Sequence, residues 1–261
     1  MFESWYSLAI GGSLFLGMLL LIELGRMAGR RRAQQEGAGT RAGLGAIDAA
    51  VLSLLGLLVA FSFSGAAARF DARRHLAIDE TNAIGTAWLR LDVLPADSRT
   101  DLREMFRQYL DARLRVARAM PDLQAAHKEL RHCADLQDVI WKRSVAACSQ
   151  SESPSTGMLL LPALNQMFDI ASTRTGVAYI HPPMIIFVML FLLALASGLL
   201  AGYGMSGARN RSWIHVFGLA AAVAAAVFVI VDLEYPRAGV IRLESSDHLL
   251  EDLRQTMEPT P

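Results

Sequence analysis

Four uninterrupted apolar runs constrain this chain more than any other feature. A helix of about 20 mostly apolar residues is long enough to cross a hydrocarbon layer about 30 Å thick. The runs are 5–24, 46–68, 182–203 and 213–231. Trp5 and Tyr6 supply an interfacial aromatic belt for the first, and Arg26, Arg30, Arg31 and Arg32 stop it. A cleaved leader would carry its positive charge before the apolar run, whereas here Glu3 precedes and the arginines follow. The first run therefore reads as a retained anchor, and the chain as a polytopic membrane protein that is all-α.

Short-loop arginines set the expected orientation. Between the first two spans lie Arg26, Arg30, Arg31, Arg32 and Arg41 against Glu36, and between the last two lie Arg209 and Arg211. Loops 25–45 and 204–212 are accordingly expected in the cytoplasm. The N-terminus, the segment 69–181 and the acidic tail 233–261 fall on the other side. Nearly all the basic residues are arginine, Lys128 and Lys142 being the exceptions, and alanine is abundant. This composition suggests a bacterial protein of the inner membrane with a periplasmic central segment. Arg69, Arg73 and Arg74, directly after span two, pull against that orientation.

The segment 69–181 reads as a helical extramembrane domain. No Gly or Pro interrupts 66–82, so span two should continue as one helix to the neighbourhood of Leu94 and Pro95. Leu102, Met105, Phe106, Tyr109, Leu110 and Leu114 recur at helical spacing over 97–120, which Pro121 ends. Leu123, Leu130, Leu136, Val139 and Ile140 repeat the pattern over 122–148. These two helices should pair as an antiparallel hairpin. A loop is expected over 150–157, then a helix from Met158 to about Tyr179. His181, Pro182 and Pro183 reset the chain for span three.

Equal numbers of basic and acidic residues, 25 each, leave no surplus for neutralising phosphates, so no nucleic-acid partner is expected. Cys133 and Cys148 are 15 residues apart on one expected helix, roughly 22 Å, too far for a disulfide. Neither GxSxG, HExxH, Walker A nor GxGxxG occurs in context, and His127, His132 and Cys133 lack metal-ligand spacing. No enzyme activity, metal or cofactor is therefore expected. Asn210 and Ser212 match the glycosylation pattern only by accident in a cytoplasmic loop.

Small residues step along one side of span two: Ala49, Ser53, Gly56, Ala60, Ser64 and Ala67. Such a stripe can pack against another helix, or it can line a pore with hydroxyls and backbone, with Phe61 and Phe63 as a hydrophobic constriction. In span three, Ala194, Gly198, Gly202 and Ser206 form a four-residue ridge for helix packing. Span four is alanine-rich. Past span two come Arg69, Arg73, His75, Asp79 and Glu80, which form either a salt-bridged structural helix or the charged mouth of an ion path. Both signs occur, so ion sign is open. Asn165, Asp169 and Thr173 make a polar stripe suited to interhelical hydrogen bonds. Asp48 and Asp232 stand near span ends.

Four blocks carry a family resemblance: FSFSGAAARFDARRHLAIDETNAIGTAWLRLDVLP (61–95), LLPALNQMFDIASTR (160–174), HPP (181–183) and VDLEYPRAGVIRL (231–243). They resemble the bacterial and plant membrane proteins with a bestrophin-like domain, in order over nearly the whole chain. Bestrophins are pentameric anion channels with four spans per subunit and a pore made mainly by the second span and the helices beyond it. The resemblance thus implies a homo-oligomer, a pentamer, conducting inorganic ions, anions among them, through the span-two stripe. Two features depart from it. The short-loop arginines put the large domain on the periplasmic side, whereas bestrophins hold it in the cytoplasm. Nor does the sequence contain an acidic loop like the bestrophin calcium clasp.

The expectation is an oligomeric ion channel embedded in a lipid bilayer. The alternative is a non-conducting scaffold or sensor whose helical hairpin binds a partner and whose spans only anchor it.

Overall fold

The computed structural model describes residues 4–33, 41–119, 122–151, 153–207, 212–235, 240–241 and 244–258. Glu36, Pro121, Arg209, Asn210, Arg211, Pro236 and Arg237 lie outside them, as do the side chains of Trp5, Arg41 and Leu123. Among the described residues there are eight α-helices and no strand: α1 (Ser4–Ala33), α2 (Arg41–Arg90), α3 (Ala96–Ala119), α4 (Leu123–Gln150), α5 (Ser155–Ala178), α6 (Met184–Gly204), α7 (Trp213–Glu234) and α8 (Glu244–Thr256). Four of them, α1, α2, α6 and α7, are long and apolar enough to cross a membrane. The chain divides into two compact units: Met1–Phe70 with His181–Ile241, and Asp71–Ile180 with Arg242–Pro261.

In the first unit, α1 packs on α6 and α7. Gly25 and Gly202 govern how closely α1 and α6 approach. A Cβ on Gly202 would overlap the Ile22 carbonyl, and one on Gly25 would overlap that of Leu199. Gly198 faces the Met18 carbonyl, where a Cβ would sit at 3.3 Å, and Gly29 faces Ser206. Without a hydrophobic effect to drive helices together in lipid, such backbone-to-backbone approach maximises dispersion contact. Leu14, Met18, Leu190, Ala194, Ala220 and Val227 fill the space between these helices. The α6 ridge thus packs on α1, Gly198 and Gly202 on the Met18 and Ile22 backbone and Ser206 on Gly29, a partner helix the sequence reading did not single out.

α2 is different. It is a 50-residue helix, about 75 Å long, far more than a bilayer requires. Its most apolar 18-residue window is only 6% buried, against 33% for α7 and 28% for α1. Leu55, Leu58, Val59, Ala66 and Phe70 pack inward, and the opposite side is uncovered.

The second unit is built on the α3–α4 hairpin, with α5 and α8 beside it. Its core takes Ala83, Ile84, Ala87 and Leu91 from the end of α2. From the hairpin come Leu102, Phe106, Tyr109, Leu110 and Ile140, and from α5 Leu160, Leu164 and Met167. Local stops follow ordinary chemistry. The α2 helix ends at Arg90 and tightens into a 3-10 turn at Leu91–Val93. Leu94 is then extended, φ −87° and ψ 156°, as the residue before a proline prefers. Asp122 caps α4, its carboxylate accepting from the backbone N–H groups of Gln124 at 2.9 Å and Ala125 at 3.1 Å.

Three sequence expectations change. The loop expected over 150–157 is shorter, because α5 already begins at Ser155. The tail, expected only to be acidic, contains α8. It buries Leu250 and Met257 in the core, with Arg254 Nε donating to Asp111 at 2.8 Å and Arg107 Nε to the Met257 carbonyl at 2.8 Å. The polar stripe of α5 faces outward: Asn165, Asp169 and Thr173 are exposed, and the Thr173 hydroxyl bonds back to the Asp169 carbonyl at 2.8 Å. Both cysteines lie on α4 as free thiols, Cys133 buried and Cys148 half-buried.

Candidate ion-conducting elements

The uncovered side of α2 holds the small-residue stripe. Ala49, Ser53, Gly56, Ala60 and Ser64 are all exposed, and Ala67 half-exposed. The Ser53 hydroxyl donates to the Ala49 carbonyl at 2.8 Å, and a Cβ on Gly56 would meet nothing within 4 Å. At about 100° per residue, Phe61 lies roughly 100° to one side of the stripe's mean direction and Phe63 roughly 60° to the other. They are 69% and 46% exposed. The two rings therefore border the stripe instead of stacking along it.

Where α2 leaves its apolar run, the charges sort by direction. Arg69 turns inward within the first unit: its Nε and Nη2 each lie 2.9 Å from Oε2 of Glu234, a carboxylate with no exposure. His181 Nδ1 lies 3.2 Å from the other oxygen of Glu234, and its ring stacks on Tyr235 at 4.8 Å. Close by on the same helix, Asp232 is a second fully buried acid. It accepts from the Ser7 hydroxyl at 2.7 Å and from the N–H groups of Val240 at 2.9 Å and Ile241 at 2.7 Å. These bonds tie α1, α7 and the segment after α7 together, which makes Asp232 a structural joint. Asp48 lies against Gly204, where a Cβ would come within 2.9 Å of its Oδ2.

In the second unit, Arg73 is buried and its Nη2 donates to the Ile180 carbonyl at 3.0 Å. Glu80 has no exposure at all. It accepts from Arg113 Nε at 2.5 Å and Arg174 Nη1 at 2.6 Å, joining α2, α3 and α5. Burial pushes the Glu80 carboxyl up, but the Arg113 and Arg174 guanidiniums outweigh it and hold it below the usual carboxylate range. Beside this group, burial pushes the Tyr109 hydroxyl well up, and Gln137 donates to it at 3.0 Å.

The residues expected at a pore mouth thus separate. Glu80 belongs to an interior ion triad, and Arg69 and Arg73 are turned inward onto partners. His75 and Asp79 are exposed, with Asp71 and Arg74 beside them, the last two 3.8 Å apart. Sequence reasoning missed Arg113, Arg174 and Ser7 as partners. A signal for Glu80 and Arg113 does exist in the sequence. Glu80 falls in the inward series Ala77, Glu80, Ile84, Ala87, Leu91, and Arg113 in the series Phe106, Tyr109, Arg113. A charge in an apolar stripe marks a buried pair.

The fold has solved counterparts. A crystal structure of a bacterial Bestrophin homolog from Klebsiella pneumoniae carrying a tyrosine-to-alanine mutation is similar at TM-score 0.71 and 14% identity, covering 94% of this chain and 97% of the other. The same homolog with a tryptophan-to-alanine mutation is similar at TM-score 0.63 and 16% identity, over 94% and 97%. No curated relative matches the chain. The model of the Bestrophin-like domain matches residues 14–247, nearly the whole length, with the last three apolar helices entire and the first from residue 14. On that match the chain belongs to the Bestrophin-like domain family.

Proposed function

We propose that this protein is the subunit of a homo-oligomeric ion channel, with the outward face of α2 lining the permeation path. The observation that carries the reading is the uncovered span. An apolar helix with small residues on one side gains little dispersion energy from lipid tails, and its favourable uses are close approach to another copy or contact with a hydrated lumen. Ser53, Gly56, Ala60 and Ser64 would line that lumen. Phe61 and Phe63, flanking the stripe, would seat against neighbouring copies and narrow the opening between them. A fivefold ring is adopted from the resemblance to bestrophins.

Ion sign follows from which charges face out. Arg69 and Arg73, the two cations nearest the span, are occupied by Glu234 and the Ile180 carbonyl. Arg74 stands near Asp71, which leaves Asp79 as the exposed carboxylate without an ion pair in the stretch 69–80. That arrangement favours cations over anions, so anion selectivity is not carried over from the bestrophins. For the membrane we keep the arginine rule: an inner membrane, with loops 25–45 and 204–212 cytoplasmic, and the second unit and both ends periplasmic. No catalytic role is assigned.

The test is reconstitution of the purified oligomer in planar bilayers with asymmetric salt. Unitary currents with a cation-side reversal potential support the reading. A verified oligomer that passes no current at any voltage overturns it and leaves the scaffold alternative.

A further inference from the structure

Arg26 is the anomaly of the first unit. It lies on α1 where the apolar run ends, is 7% exposed, and its Nε is buried without a hydrogen-bond partner. Its guanidinium has neither an ion pair nor a hydrogen bond among the described residues. Glu23, one turn earlier, is engaged through an interaction of its own and keeps a second carboxylate oxygen, Oε2, buried without a hydrogen bond, and the Asp48 carboxylate lies against Gly204. Arginine cannot shed its charge in a protein. A buried cation left without a counter-charge is among the costliest arrangements a fold can hold, above all at a membrane.

The surroundings indicate what would neutralise it. Gly25 and Gly29, on either side of Arg26, press on Leu199, Tyr203 and Ser206, so Arg26 is held at the level of the last turn of α6. The carbonyl end of that helix offers partial negative charge, less than one elementary charge. Arg30 follows one turn later on the same side of α1 and is exposed, as is Arg31. A guanidinium whose terminal nitrogens have no hydrogen-bond partner, backed by a second cation one turn away at the membrane surface, matches the oxygens of a phosphate group, which accepts charge-assisted hydrogen bonds.

We propose that Arg26, with Arg30 as the second cation, is an oxyanion site that takes a phosphate group at the end of span one. The phosphate can come from an anionic lipid headgroup or from solution. The site does not depend on the channel reading.

The test uses the full chain in dodecyl maltoside micelles, following its unfolding temperature against three additions: phosphatidylcholine, phosphatidylglycerol, and inorganic phosphate at matched ionic strength. The wild type should be stabilised by phosphatidylglycerol beyond the effect of phosphatidylcholine. Arg26→Gln should weaken the apparent affinity tenfold or more, Arg26→Lys should retain part of it, and Arg74→Gln should respond as the wild type. A matching response to inorganic phosphate assigns the site to soluble oxyanions, and its absence assigns it to lipid. Should Arg26→Gln fail to fold, Arg30→Gln, exposed and free of packing constraint, should still lower affinity several-fold. Equal responses of the wild type and these variants, or no response of the wild type to any addition, overturn the proposal.

Discussion

Arg69 sets its guanidinium against the fully buried carboxylate of Glu234, 2.9 Å away across 165 residues of sequence. The two ends of this bond are unequal, since Arg69 keeps 31% of its side chain exposed and Glu234 none. Removing Arg69 takes the guanidinium from a fully buried carboxylate and leaves it with weaker neighbours such as His181, whereas removing Glu234 leaves a cation that can reach water. Arg69→Gln should therefore cost about 2–3 kcal/mol, a figure reduced from the fully buried case for that exposure. Glu234→Gln should cost about 1–2 kcal/mol. Unfolding of the detergent-solubilised variants checks the order; a larger loss for Glu234→Gln contradicts it.

The interior triad of the second unit gives a pH prediction. The folded Glu80 carboxyl titrates below its ordinary 4.5, so its contribution is present above that value and is lost as pH falls through the lower folded value. Glu80→Gln, which leaves Arg113 buried without its counter-charge, should cost about 3–5 kcal/mol at neutral pH. The variant should also lose that part of the acid-side decline which the wild type shows below pH 4.5. Unfolding curves collected across acid pH decide it.

Glycines divide into two groups by what a methyl would strike. Gly202→Ala drives a Cβ into the Ile22 backbone and should destabilise the first unit or prevent its assembly. Gly56→Ala meets open space within the subunit and should leave monomer stability within about 1 kcal/mol of the wild type. Gly56→Leu tests the proposed lumen: unitary conductance should fall by half or more with the oligomer intact. Size-exclusion chromatography and bilayer recording, on the same preparations, separate the two effects.

Phe61→Ala and Phe63→Ala should each raise unitary conductance, because each ring borders the stripe from one side. Asp79→Asn should move the reversal potential toward that of a nonselective pore, lowering the cation-to-anion permeability ratio several-fold. An unchanged ratio would remove Asp79 from the conduction path.

Thiol labelling addresses the second unit and its side of the membrane together. Cys133 is 3% exposed and burial pushes its thiol up, so a maleimide should reach it only after unfolding. Cys148 is half-buried and should react first. In right-side-out vesicles, labelling of Cys148 by a membrane-impermeant maleimide places the second unit outside; protection until the vesicles are opened places it inside.

The four spans and the α3–α4 hairpin were legible because hydropathy and helical period are local signals, spread over many residues. The continuation of span two past the membrane was legible for a simpler reason: no Gly or Pro interrupts it between Ala66 and Asn82. What the sequence hid was direction. Arg69, Arg73 and Glu80 are close along the chain, and spacing alone grouped them, but their partners Glu234, Ile180, Arg113 and Arg174 come from distant segments. The helix α8 was missed because a short, polar, acid-rich segment has little propensity of its own; Leu250 and Met257 define a face only once α3 is present to cover them.

That docking of α8 bears on how the protein is made. Both units are discontinuous, each made of two segments far apart in sequence, so neither can close until its second segment, 181–241 or 242–261, has been made. The α3–α4 hairpin must wait with part of its apolar surface bare until residues 244–258 emerge, after two further spans have entered the bilayer. Late closure of this kind concentrates the risk of aggregation in the nascent chain, and it makes the arrival of α8 a checkpoint for quality control in the cell.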